Sequence, residues 1–199
     1  MDEDTESYIM LLLADGNLPT GSFVASSGLE SYVKHGFFYS ASTSTLHSSH
    51  PAARSNQAMI DFIQDSLSTY ARSALPFVSD AHITTTKYKE SLSQGETRDF
   101  TLKRLKDFDD LYHCMTLNDV TRRASKAQGV ALLTLFSKGF STPLLPANGS
   151  TEKLNSKAEQ SLFRFVDDLK LIVRKEETHG HLPICWGVLT AALGFSLGE

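Results

Sequence analysis

The sequence predicts an all-α fold, a single-domain helical bundle of roughly seven or eight helices with no significant sheet. Three observations lead there. Apolar residues recur at helical spacing in stretch after stretch. No convincing set of alternating apolar and polar residues marks a group of strands. The chain has 199 residues, 41% of them hydrophobic and 21% charged, which is ordinary for a globular domain with a substantial core.

The first helix is expected to end in the apolar run Tyr8 to Leu13. A corner follows, Ala14 to Glu30, rich in glycine, proline and hydroxyl residues. Gly16 and Gly21 have the spacing of a phosphate loop. Ser22 and Phe23, however, stand where that loop needs a lysine and a metal-binding hydroxyl, and Pro19 removes a backbone donor. The corner therefore reads as helix–turn–helix. Its second helix starts at a Thr20 or Ser22 cap, or else at the capping box Ser27-x-x-Glu30, and closes at Gly36 after Lys34 and His35.

Residues 40–55 are rich in Ser and Thr, hold His47 and His50, and read as a surface loop or insertion. From Ser55 the helical period takes over, with Met59, Phe62, Ile63, Leu67 and Tyr70 on one apolar face. Pro76 is expected to break or kink this helix. A second one then carries Phe77, Ala81, Tyr88 and Leu92 and ends near Gly95. Leu105, Phe108, Tyr112 and Met115 recur as a core-facing stripe. The acidic residues Asp107, Asp109 and Asp110 read as part of the solvated face of that helix. His113 stands one turn beyond the last two, but one helix face rarely completes a metal's coordination shell.

The stretch Asp119 to Leu133 reads as a helix with Gly129 in its interior, where glycine costs about 1 kcal/mol against alanine. Ala124, Ala127 and Ala131 add a small-residue stripe, so a tightly packed central helix is expected. Arg122, Arg123, Ser125 and Gln128 supply polar groups for a groove or a partner. Residues 138–155 form a second loop insertion. Ala158, Leu162, Phe165, Leu169 and Ile172 then mark the clearest amphipathic helix. His179 and His181 form a His-x-His pair just before Pro183, which suits a first helical turn. Gly187, Ala191 and Gly194 give the last helix another small stripe.

Composition excludes several classes. The net charge is −4 and no dense Lys/Arg block appears, which argues against a nucleic-acid surface. Cys114 and Cys185 lie far apart and alone, which is neither a disulfide framework nor a zinc pattern; two reduced, buried thiols are expected. The acidic N-terminus is unlike a secretory signal, and no apolar run approaches the length of a membrane span, so a cytoplasmic location is expected. No nucleophile–base pair or metal cluster can be argued from spacing, so neither a catalytic site nor a bound cofactor is expected.

Three stretches stand out together: Asp15-x-x-Leu-Pro-Thr-Gly-Ser-Phe-x-x-Ser-x-Gly-Leu-Glu30, Arg123-x-Ser-x-x-Gln-Gly-x-x-Leu-Leu133 and His181-x-Pro-x-x-x-Gly-x-x-x-x-Ala-Leu-Gly194. In this order they closely resemble the UreF family of urease accessory proteins. The resemblance runs from about Tyr8 to Leu197, interrupted by the two loops. It implies a non-enzymatic maturation factor, or chaperone, that dimerises and binds the accessory protein UreD (UreH). The complex then recruits the GTPase UreG for nickel insertion into apo-urease. Glu30, Arg123, Ser125, Gln128 and His181 are the expected partner-binding residues. Asp15, Pro19, Gly21, Gly28, Gly129, Pro183 and Gly187 are the expected structural positions of the motifs. The chain departs from the family pattern at Ser22, where many members have a second glycine, and at Ala25, where many have histidine. It stops at Glu199, where members usually continue with further helices and a partner-binding tail. Two other readings stand beside the adaptor: direct nickel binding through His179 and His181, and an enzyme using His181 or Glu30 as acid or base.

Overall fold

The computed structural model describes residues 3–15, 18, 28–37, 51–91, 98–140 and 152–197. Among the described residues there are seven α-helices and no β-strand: α1 (Glu3–Leu13), α2 (Leu29–Lys34), α3 (Pro51–Ser91), α4 (Arg98–Met115), α5 (Asp119–Gly139), α6 (Glu152–Arg174) and α7 (Leu182–Leu193). The all-α expectation therefore holds. None of the helices is long and apolar enough to cross a membrane.

The chain forms two compact units, residues 22–75 and residues 1–21 with 76–199. In the first, Gly28 caps the start of α2 in the left-handed region at φ 93°. A Cβ there would meet nothing within 4 Å among the described residues, so glycine is required by conformation rather than by space. The cap is Gly28 rather than Ser27 of the expected capping box, one residue further on; Thr20, Ser22 and Ser27, like Pro19 and Gly21, lie outside the described residues. The helix closes at Lys34, and Gly36 follows at φ 77°. Tyr32 packs its ring on Phe62 of α3, 5.1 Å between centroids. The expected apolar face of this part of α3 is instead mostly exposed: Ile63, Leu67 and Tyr70 all face outward, while Ala58 is buried.

Helix α3 begins at Pro51, inside the segment expected to be a loop, because proline suits a helix's first position. It also runs on through Pro76, so the helix is not broken there as the first of the two expected outcomes had it. A proline forfeits one backbone hydrogen bond, and the packing of the next turns offsets that loss. Phe77, Ala81 and Tyr88 are buried as expected; Leu92 and Gly95 lie outside the described residues.

The larger unit is built on α7, whose inner residues Ile184, Cys185, Val188 and Leu189 are almost wholly buried. It packs against α5, α6 and α4. Gly187 lets it approach α3 closely: a Cβ there would collide with the Val78 carbonyl oxygen and stand 2.8 Å from the Ala81 Cβ. Gly194 belongs to no packing stripe; at φ 82° it caps the helix C-terminus. On α6 the amphipathic reading holds, with Leu162, Phe165 and Leu169 buried and Phe165 stacked on Tyr88 at 4.7 Å; the side chain of Ala158 lies outside the described part. Arg98 and Asp168 tie α4 to α6 at 3.0 Å.

Further expectations fail in this unit. Met115, the last residue of α4, is exposed. Cys114 is exposed on the same turn, and only Cys185 is buried. The alanines of α5 do not form the packed stripe either: Ala127 is exposed, and the buried line is Ser125, Gly129, Leu132, Leu133 and Phe136.

Candidate functional site

The turn between α6 and α7 brings the second and third motifs together. Helix α6 ends at Arg174, and Glu176, a non-glycine residue at φ 59°, reverses the chain. Residues 178–181 then lie on α4, held by Asp109. This carboxylate is 2% exposed, in contrast to the solvated face expected for it. Its Oδ2 accepts from the Thr178 hydroxyl at 2.6 Å and from the Gly180 amide at 2.7 Å, and its Oδ1 accepts from the His181 amide at 2.9 Å. Three donors on one buried carboxylate offset its desolvation and fix the turn.

The turn also explains Gly129. A Cβ on that residue would collide with the Gly180 carbonyl oxygen and lie 3.1 Å from the Cys185 sulfur. Gly180 itself sits at φ 70°, and a Cβ there would come within 2.6 Å of Val173. Gly129 lets α5 touch the turn backbone to backbone, whereas Gly180 is required by its left-handed conformation and by the Val173 side chain of α6.

Helix α7 starts at His181, its N-cap, with Pro183 in the first turn. The Leu182 amide, which has no intrahelical partner, donates to the Ser125 hydroxyl at 3.2 Å. Tyr112 packs edge-on against His181, 5.1 Å between centroids, and against Phe77. Burial pushes the Tyr112 phenol up, opposed by its bonds to Thr116 and Ser125.

His181 is fully buried. Its Nε2 lies 3.0 Å from Nδ1 of His113, while its own Nδ1 is buried without a partner among the described residues. A lone pair tolerates that position better than an N–H does, so the His181 proton belongs on Nε2, donating to His113. Protonating Nδ1 would create a buried N–H with nothing to bond. Burial accordingly lowers the His181 pKa to about 4; Asp109 opposes this, while His113, His179 and Lys126 add to it. His113 is lowered too, first by burial and then by His179, Arg122 and Lys126. Its ring stacks on His179 at 3.7 Å with an interplanar angle of 6°. His179 Nε2 faces Asp110 Oδ1 at 3.4 Å. Arg122 bonds the carbonyl oxygens of His113 and Thr116, closing the α4–α5 corner.

Of the expected partner-binding residues, the structure brings Ser125 and His181 together, both buried. Arg123 is exposed on the outer face of α5 and pairs with Asp119 at 3.1 Å. Gln128 is half-buried on the same helix. Glu30 is exposed in the first turn of α2, in the other compact unit. Asp15 is exposed after α1, its carbonyl accepting from the Leu18 amide at 3.1 Å. The pairing of His113 with the His-x-His motif is not legible in sequence, since it joins residues 68 positions apart. Asp109 did leave a signal: it follows Thr101 and Leu105 by whole helical turns and so falls on the buried stripe of α4. Among the described residues no group of three or more His, Cys, Asp and Glu side chains is arranged to hold a metal ion. The parallel stacking of His113 and His179 fits that finding, because their in-plane lone pairs do not converge.

The UreF family model matches residues 53–199 of this chain. Urease accessory protein 6 of Cryptococcus neoformans var. grubii is 36% identical over 95% of the chain and 63% of its own length. A protein of Schizosaccharomyces pombe described as an uncharacterized urease accessory protein UreF-like is 27% identical over 98% of the chain and 64% of its own length. The chain thus spans less than two thirds of either relative. No solved structure matches it.

Proposed function

This chain belongs to the UreF family of urease accessory proteins, and we propose that it acts as a non-enzymatic adaptor in urease maturation. In this reading it joins a UreD/UreH-type protein and a UreG-type GTPase for GTP-dependent nickel insertion into apo-urease, as a homodimer within a cytoplasmic complex. The family match over residues 53–199 carries the reading. The geometry supports it by separating two roles within one motif. Ser125 and Gly129 face inward and set the α5–α7 packing, whereas Arg123, two residues from Ser125, faces solvent from the same rigid helix. Arg123 and Glu30 are therefore the contact residues we assign. Ser125 and His181, being buried, act on binding by holding the corner in shape.

Co-purification with UreD and UreG homologues from the same cell tests the adaptor. At least one is expected to be retained, and a folded chain that retains neither defeats the reading. Arg123→Ala should keep the fold and weaken capture of one partner by at least tenfold; unchanged capture would remove Arg123 from the interface.

A further inference from the structure

Three imidazoles drawn from two distant parts of the sequence meet at the start of α7, and the adaptor reading uses none of them as a titrating group. We infer that the His113–His181 pair, with the His179 ring stacked beside it, is an acid-sensitive latch: while the pair shares a single proton it holds the 178–181 turn closed on α4, and on taking up a further proton it releases that turn.

The geometry allows the closed state only limited charge. His113 and His181 share one proton across 3.0 Å, which requires a bare nitrogen on one ring. When both are cations every ring nitrogen carries hydrogen, and two N–H groups face each other. The His113 and His179 rings lie face to face at 3.7 Å, so two charges there repel at close range. The groups around the cluster do not cancel this. From α4, Asp109 faces His181 and His113, but its oxygens already accept from Thr178, Gly180 and His181. Asp110 Oδ1 faces His179 Nε2 at 3.4 Å. From α5, Arg122 and Lys126 add positive charge beside His113, and Lys126 does so beside His181 as well. Tyr112 presents a ring to His181, and the Cys185 thiol of α7 is held neutral by burial.

Opening the turn hydrates the His181 ring, which is fully buried when it is closed. His181 then returns from about 4 toward its ordinary 6.5. The open state takes up a proton that the closed state refuses, so acid favours opening. From His181 alone, linkage gives a rise of about tenfold in the opening constant between pH 7.5 and pH 5.5. The inference concerns the chain by itself and does not depend on the adaptor reading.

Hydrogen exchange on the full chain, corrected for the intrinsic pH dependence of amide exchange, reads the latch directly, because the Gly180 and His181 amides are its bonded donors. At pH 5.5 the segment 178–182 should lose protection by about tenfold relative to pH 7.5, while Leu132–Phe136 and Leu162–Val166 stay protected. Protection that changes less than twofold in 178–182 overturns the latch, and so does a loss spread evenly over α4 to α7. In His181→Gln, which removes the titrating ring and keeps a side-chain amide, the pH response should shrink severalfold. If that variant does not fold, His181→Asn removes the same titrating ring and should shrink the response likewise. An undiminished response in a folded variant refutes the assignment.

Discussion

Asp109 is the residue on which the corner depends. It satisfies a hydroxyl and two amides that have no other partner among the hydrogen bonds of the turn. Asp109→Asn replaces one of its two acceptors with a donor, so at least one buried donor loses its bond. We expect this to destabilise the chain by about 3 kcal/mol, measured as a lower midpoint of urea unfolding; a change within about 0.5 kcal/mol, the range of an ordinary surface substitution, would show that the turn does not need its anchor. Arg123 lies at the opposite extreme. Its ion pair with Asp119 joins two side chains that are each more than 70% exposed. Arg123→Ala should therefore leave stability within about 0.5 kcal/mol, which lets any loss of partner binding be read as loss of contact.

At the scale of elements, glycine sets how closely helices approach. Gly129 is the case where two effects oppose. Alanine gains about 1 kcal/mol of helix propensity, but its Cβ must displace the Gly180 carbonyl oxygen, a backbone atom held in a turn pinned by Asp109. The collision wins, and Gly129→Ala should lower stability by roughly 2 kcal/mol. Gly139, on the same helix, has open space where a Cβ would stand, with nothing among the described residues within 4 Å. Gly139→Ala should be neutral or slightly stabilising, by up to about 1 kcal/mol. Thermal unfolding of the two variants side by side checks the pair, and equal effects would refute the close-approach account of Gly129.

For the whole molecule, the buried histidines set the acid limit of stability. The folded His181 pKa, about 4, lies below its ordinary 6.5. Between those values the unfolded chain binds a proton that the native state does not. The stability from this group is therefore intact above about pH 6.5 and is lost as pH falls toward 4, amounting to roughly 3 kcal/mol at about 1.4 kcal/mol per pH unit. His82, buried against Thr190 at 3.0 Å and lowered by burial, acts in the same direction. Between pH 7.5 and pH 4.5 the unfolding temperature should fall by roughly 5–10 °C, and by less in His181→Gln. A fall of the same size in that variant would assign the acid sensitivity elsewhere.

The helices are legible because each carries its own periodic record. Leu162, Phe165 and Leu169 mark a buried stripe whatever packs on it, and Gly28 and Pro183 mark ends through backbone constraints that travel with the residue. The order of the three motifs is likewise sufficient to indicate the family. The site is legible only in its parts. Ser125, Gly129 and His181 stand out in sequence, yet nothing local says that Gly129 meets Gly180, or that His113 completes a cluster with His179 and His181. Those pairings depend on how α4, α5 and α7 cross, and a crossing is decided by the summed packing of many side chains. Asp109 makes the difference plain: its residue type reads as solvated, and only the tertiary structure supplies the three donors that make burial tolerable.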